Sequence, residues 1–129
     1  MARKFAEDLK VDLAIVDKRR VNGRSVEVNA LIGNVKDKQV LLVDDICSTG
    51  GTLAVAAKVC KQEGAKSVFA VVTHALLMSG TKIEGVDQLF ITDSVPPLND
   101  KEHVVSIAPL LGEAIERVIS AKSISSLFN

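Results

Sequence analysis

The sequence predicts an α/β domain with a mainly parallel sheet flanked by helices. Short apolar runs recur at Asp12–Asp17, Gln39–Val43, Ser67–Thr73, Gln88–Thr92 and Val104–Ile107. Segments with helical apolar spacing alternate with them, at Thr52–Glu63 and Pro109–Ala121. Several of these runs are apolar throughout, as strands with helices on both faces must be.

Each element has its own signal. Residues 2–10 place Phe5, Ala6 and Leu9 on one side of a short amphipathic helix. Asp12–Asp17 (DLAIVD) reads as a short buried strand, and Lys18–Ser25 (KRRVNGRS) as a mobile polar loop with four cations and an Asn-Gly pair. Val26–Ile32 alternates in the manner of a marginal strand, and Gly33–Lys38 is a turn. Gln39–Val43 is a buried strand. In Thr52–Glu63, Leu53, Ala56, Ala57 and Cys60 share one helix face, and Gly64 stands where a C-terminal cap belongs. Ser67–Thr73, Gln88–Thr92 and Val104–Ile107 complete the strands. Pro109 opens a last helix whose apolar face is Leu110, Leu111, Ala114, Ile115 and Val118. No repeat, linker or low-complexity stretch interrupts the 129 residues, which suit one domain.

Bulk chemistry excludes some partners. Sixteen basic and sixteen acidic residues cancel, so no overall field favours nucleic acid or an anionic membrane. Without Trp or Tyr, and with four Phe, there is little to stack bases on. No segment has the apolar length of a signal peptide or a membrane span, so a soluble cytoplasmic protein is expected. Cys47, placed in a loop, and Cys60, on a helix face, lack CxxC spacing and are expected to be reduced thiols.

In parallel sheets ligands bind beyond the carboxyl ends of the strands. That rule singles out Asp17–Arg20, Asp44–Thr52, Thr73–Gly80 and Thr92–Pro97. The second carries the clearest chemistry, VLLVDDICSTGGT at residues 40–52. A strand, a glycine-containing loop and a helix start present backbone N–H groups to an anion. Gly50 and Gly51 allow close approach, and Ser48, Thr49 and Thr52 add hydroxyl donors. The missing lysine excludes a Walker A loop, and GxGxxG is absent. Asp44 and Asp45 suit sugar hydroxyls or Mg²⁺. Phosphate in the loop and hydroxyls on the carboxylates describe a sugar phosphate. The competing reading has Asp45 and Ser48 merely capping a turn and the helix.

The same residues resemble the ribose-phosphate signature of the type I phosphoribosyltransferase fold. Its flanks, DLAIVDKRR, VEVNALIGNVKDKQVLLVDD, GAKSVFAVVTHALLMSG and LLGEAIERVISAKSISSLF, are similar in order and spacing to ribose-phosphate pyrophosphokinases. The resemblance covers nearly the whole chain and makes residues 1–129 one domain, the C-terminal, ribose 5-phosphate-binding half of such an enzyme. It implies transfer of the β,γ-diphosphoryl group of Mg-ATP to the C1 hydroxyl of ribose 5-phosphate, with release of AMP. Ser48, Thr49, Gly50, Gly51 and Thr52 would then hold the 5-phosphate, and Asp44 and Asp45 the hydroxyls. Ser48 stands where many relatives have Asp, one charge fewer beside the phosphate.

The resemblance further implies that Lys18 and Arg20 sit on a mobile loop closing over ATP, where cations serve oxygens that redistribute charge. Ser123 and Ser125, in SISSLF, would help form an inter-subunit site for regulatory phosphate or ADP, with a frayed polar terminus as the alternative. His74 is expected to order a loop rather than act as a base, and Asp93 and Ser94 carry no assigned role. The metal ligands stay unassigned: the adenine pocket and a histidine for magnesium would come from an N-terminal half. A domain cut from that half should expose a sheet edge or patch and form a homo-oligomer. Two other readings stand beside this one, a stand-alone phosphoribosyltransferase and a non-catalytic sugar-phosphate-binding regulatory module.

Overall fold

The computed structural model describes residues 1–22, 25–78, 81–96 and 103–128, and side chains within the two strands between 18 and 29 lie outside that description. The expected α/β class is present. Helix α1 (Ala2–Leu9) leads into a hairpin of β1 (Ile15–Asn22) and β2 (Ser25–Ile32). Then come β3 (Gln39–Cys47), α2 (Gly51–Gln62), β4 (Ser67–Ala75), β5 (Gln88–Thr92), β6 (His103–Val105) and α3 (Ala108–Ile119). Strands β3, β4, β5 and β6 lie in that order in one sheet, and every neighbouring pair is parallel.

The core sits between α2 and one face of this sheet. Leu53, Ala57 and Cys60 are the buried residues of α2. Leu53 joins Ala70, Val72, Leu77 and Ile83 in one cluster, and Ala57 and Cys60 join Val35, Ala65 and Val68 in a second. Gly64, one residue past the helix cap, takes φ +85°, the left-handed turn that ends helices. Asp87 ties these parts together: its Oδ2 accepts from Lys61 Nζ at 2.6 Å and from the Val68 N–H at 2.7 Å. On the other sheet face, Leu41, Val43, Phe69 and Phe90 line an open cleft of 730 Å³ that α1 borders with Phe5, Ala6 and Leu9.

Several expected boundaries move. Residues 11–14 are not strand, and Ile15 is exposed, so the first strand is neither where nor as buried as expected. Lys18–Ser25 is not wholly loop: β1 continues to Asn22, which pairs with Ser25. The Asn-Gly pair read as loop chemistry is equally a hairpin signal, and the charge of the KRR run masked the strand around it. Because β1 pairs antiparallel with β2 and belongs to a separate sheet, Asp17–Arg20 is not a carboxyl end of the parallel sheet. β3 runs on through Asp44, Asp45 and Ile46 to Cys47, because its ladder with β4 continues to the Cys47–Ala75 pair. Hydrogen bonding, not polarity, ends the strand.

The largest departure is α3. Its expected apolar face is exposed, with Ile115 at 60% and Val118 at 61%, and the helix buries no residue. In the C-terminal segment a 3-10 turn, Ser125–Leu127, is held by Arg117, whose Nη1 donates to the Ser123 carbonyl and Ser126 Oγ.

Two measurements check this arrangement. In urea denaturation, Leu53→Ala should cost about 2–5 kcal/mol and Ile115→Ala no more than about 0.5 kcal/mol. The Asp87 carboxyl is held below its ordinary value near 3.8, first by the Lys61 ammonium and then by the Val68 N–H. Its stabilisation is therefore present above that value and lost as pH falls through the lower folded one. Asp87→Asn should flatten the acid limb of the stability profile below about pH 4.

Candidate functional site

The carboxyl ends of β3, β4 and β5 share one rim, and the loop from β3 to α2 crosses it. Its turning point is Gly50, buried at φ +76° and ψ −3°. A Cβ there would lie 2.8 Å from Ile83 Cγ1. Sterics and handedness both demand glycine. Because Gly50 is also the N-cap residue, α2 has no side-chain cap. The Gly50 carbonyl accepts from Ala54 N–H at 2.8 Å, starting the helix. The N–H groups of Thr52 and Leu53 have no acceptor among the described residues. Uncapped first-turn donors at the positive end of a helix suit an anion.

Ser48 and Thr49 are exposed beside this turn, and Thr49 Oγ1 takes the Gly51 N–H at 3.4 Å. Cys47 lies beneath the loop, buried at the end of β3 rather than in a loop as expected, and its carbonyl accepts from Leu76 N–H at 2.8 Å. Burial pushes the Cys47 thiol up, a Gly50 N–H opposes this, and the Asp44 charge adds to it. Burial likewise raises Cys60. Both thiols are free.

Asp44 and Asp45 stand on β3 itself. Asp44 Oδ1 accepts from the Asp45 N–H at 3.0 Å, and Asp45 Oδ1 from the Ile46 N–H at 2.8 Å. Each carboxylate is thus oriented by the next residue's amide, while Oδ2 has no partner among the described residues. The structure brings Asp44, Asp45, Ser48, Thr49, Gly50, Gly51 and Thr52 together at one strand–loop–helix junction. The other candidates fall elsewhere. Lys18 and Arg20 lie on β1, in register with Val28 and Val26 and flanked by two irregularities, and their side chains are outside the described set. Ser123 and Ser125 follow α3, where Ser123 Oγ accepts from the Ser125 N–H at 3.2 Å.

Residues left without a role turn out to organise the rim. Asp93 Oδ1 accepts from the Ile107 N–H at 2.8 Å, and the Ser106 hydroxyl and this amide hold its carboxyl below the usual range. Ser94 and Thr92 hydroxyls both reach the Thr73 carbonyl, at 2.8 and 2.7 Å, and Ser94 Oγ meets His74 Nδ1 at 2.9 Å. Small hydroxyl residues ending two adjacent strands were the available signal. No group of three or more metal-ligating side chains forms among the described residues. Nor is any described helix long and apolar enough to cross a membrane.

A parallel sheet with an uncapped helix start and an acidic pair at its carboxyl rim defines a class of site that can hold an anion beside hydroxyl groups. The phosphoribosyl transferase domain model matches residues 1–96, and the chain belongs to that family. It is 45% identical to a ribose-phosphate pyrophosphokinase of Campylobacter jejuni, covering 98% of this chain and 43% of the relative. For that of Thermosipho africanus the identity is 47%, with coverage of 98% and 42%. The crystal structure of phosphoribosylpyrophosphate synthetase from Mycobacterium smegmatis superposes with a TM-score of 0.74 at 31% identity, covering 92% of this chain and 41% of that one. The chain therefore spans less than half the length of the relatives it matches.

The junction makes two predictions. Gly50→Ala should destabilise by about 1–3 kcal/mol in urea and displace the amide resonances of residues 48–53. Cys47 and Cys60 should resist a thiol reagent such as dithionitrobenzoate in the folded protein and react promptly once urea unfolds it.

Proposed function

We propose that this chain is the ribose 5-phosphate-binding part of a ribose-phosphate diphosphokinase. One observation carries the reading: an uncapped helix start and two oriented, half-open carboxylates lie on one short stretch of chain, residues 44–53. The 5-phosphate would occupy the turn Ser48–Thr52, facing the N–H groups of Thr52 and Leu53. The ring hydroxyls would donate to Oδ2 of Asp44 and Asp45, a sugar's length away. Hydroxyl donors to charged acceptors are worth about 1.5–3 kcal/mol each.

In the complete enzyme the C1 hydroxyl oxygen would bond to the β-phosphorus of ATP as the bond from that phosphorus to the α-phosphate oxygen breaks, and the hydroxyl proton would leave to solvent. AMP leaves and phosphoribosyl pyrophosphate forms. Lys18 and Arg20 would neutralise the transferring oxygens. Among the described residues no group of three metal-ligating side chains forms here, so Mg²⁺ would be held by one of the carboxylates of Asp44 and Asp45 together with substrate oxygens and water. When bound with ATP, the ion supplies charge neutralisation at the phosphates. Aligning two substrates can account for about 7–11 kcal/mol of barrier lowering, so activity would need the remainder of the enzyme, in a cytoplasmic oligomer.

Calorimetric titration tests the binding claim. Ribose 5-phosphate should bind, and Asp44→Asn combined with Asp45→Asn should weaken it at least about tenfold while leaving inorganic phosphate affinity unchanged. Preference for phosphoribosyl pyrophosphate with a base-dependent reaction would instead favour a stand-alone transferase. AMP release from Mg-ATP and ribose 5-phosphate should appear only when an N-terminal half from a relative is supplied. Sugar-phosphate binding without such release would favour a regulatory module.

A further inference from the structure

We propose that His74 is an additional binding residue of this site, accepting a hydrogen bond from a ring hydroxyl of the sugar phosphate through Nε2. The proposal deepens the sugar-phosphate reading and rests on it.

Placement comes from the sheet. Asp44 pairs with Val72 and Ile46 with His74 in the parallel register of β3 and β4. Strand side chains alternate, so Asp44 and His74 share a sheet face. Two residues along a strand and one strand across separate their Cα atoms by about 8 Å, a span that one pentose bridges. His74 is exposed at this rim, and its Nε2 has no partner among the described residues.

The ring is held before any ligand arrives. His74 Nδ1 lies 2.9 Å from Ser94 Oγ, which lies 2.8 Å from the Thr73 carbonyl oxygen. Thr92 Oγ1 lies 2.7 Å from the same carbonyl and accepts the Ser94 N–H at 3.1 Å. A carbonyl has two lone pairs and takes both hydroxyl protons. Where Thr92 Oγ1 instead donates to Ser94 Oγ at 2.8 Å, Ser94 still keeps its own proton on the Thr73 carbonyl. With its proton committed to Thr73, Ser94 Oγ faces Nδ1 as an acceptor, so the ring proton sits on Nδ1. In the neutral ring Nε2 then carries a lone pair, which accepts from a hydroxyl and repels a phosphate. That asymmetry selects the sugar over the 5-phosphate. Fixing the ring in advance lowers the ordering cost of binding.

A ring that only buttresses Ser94 is the simpler alternative, and two substitutions separate it from the proposal. Asn carries its amide where Nδ1 sits, and Gln carries its amide near Nε2. In calorimetric titrations, His74→Asn should bind ribose 5-phosphate about tenfold more weakly, with inorganic phosphate affinity unchanged. His74→Gln should keep most of the sugar-phosphate affinity. Wild-type affinity in His74→Asn, or equal weakening toward both ligands, overturns the proposal and leaves the sugar-phosphate reading standing. If the unsubstituted chain binds neither ligand, that reading fails and His74 loses its proposed partner with it. Side-chain ¹⁵N spectra of the unliganded chain add an independent check: the proton is expected on Nδ1, and a proton on Nε2 alone contradicts the acceptor role.

Discussion

Everything at the rim depends on one backbone constraint, the left-handed turn at Gly50 pressed against Ile83. It lets the chain leave β3 and enter α2 without a capping side chain, and so leaves the first-turn amides uncapped. A serine or aspartate in the N-cap role would accept from one of those amides through its side-chain oxygen and stabilise the helix by about 1 kcal/mol. Glycine forgoes that local stability, and the donors stay available. The same turn lies on Cys47, whose carbonyl is tied to Leu76 beyond β4, so the loop is fixed to two strands at once. Packing of Leu53 and Ile83 in one cluster makes the geometry of the loop a property of the core.

The fold class and the junction were legible because they rest on local signals. The apolar runs at β4 and β5 and the helical spacing of Leu53, Ala57 and Cys60 match their observed elements closely. The stretch from Asp44 to Thr52 was legible as a candidate site, because its residue types and order suit an anion and hydroxyl groups. Less legible was anything decided by pairing. Nothing in DDIC shows that the strand continues to Cys47, since β4 supplies that information. Nothing in KRRVN shows a strand, since β2 does. The orientation of Asp44 and Asp45 by the following amides is a backbone property without a composition signal. Likewise the roles of Thr92 and Ser94 appear only when two strand ends, 19 and 21 residues from their Thr73 acceptor, come together.

The exposed side of the molecule has a consistent physical meaning. An amphipathic helix normally buries its apolar stripe, yet α3 keeps Leu110, Leu111, Ile115 and Val118 in solvent. Leu41 and the cleft walls Phe69 and Phe90 leave the second sheet face partly uncovered. A parallel sheet is stable with both faces covered, and here α2 serves one face while α1 reaches only part of the other. Exposed apolar surface of this extent is the kind that marks an interaction site.

On the proposed reading, one short junction holds both ends of a sugar phosphate. Backbone amide shifts of the chain during titration with ribose 5-phosphate test it most directly. Saturable shifts are expected at residues 44–53, with inorganic phosphate reproducing those of 48–53 but not those of Asp44 and Asp45. Shifts absent from this stretch, or identical for the two ligands, would contradict it.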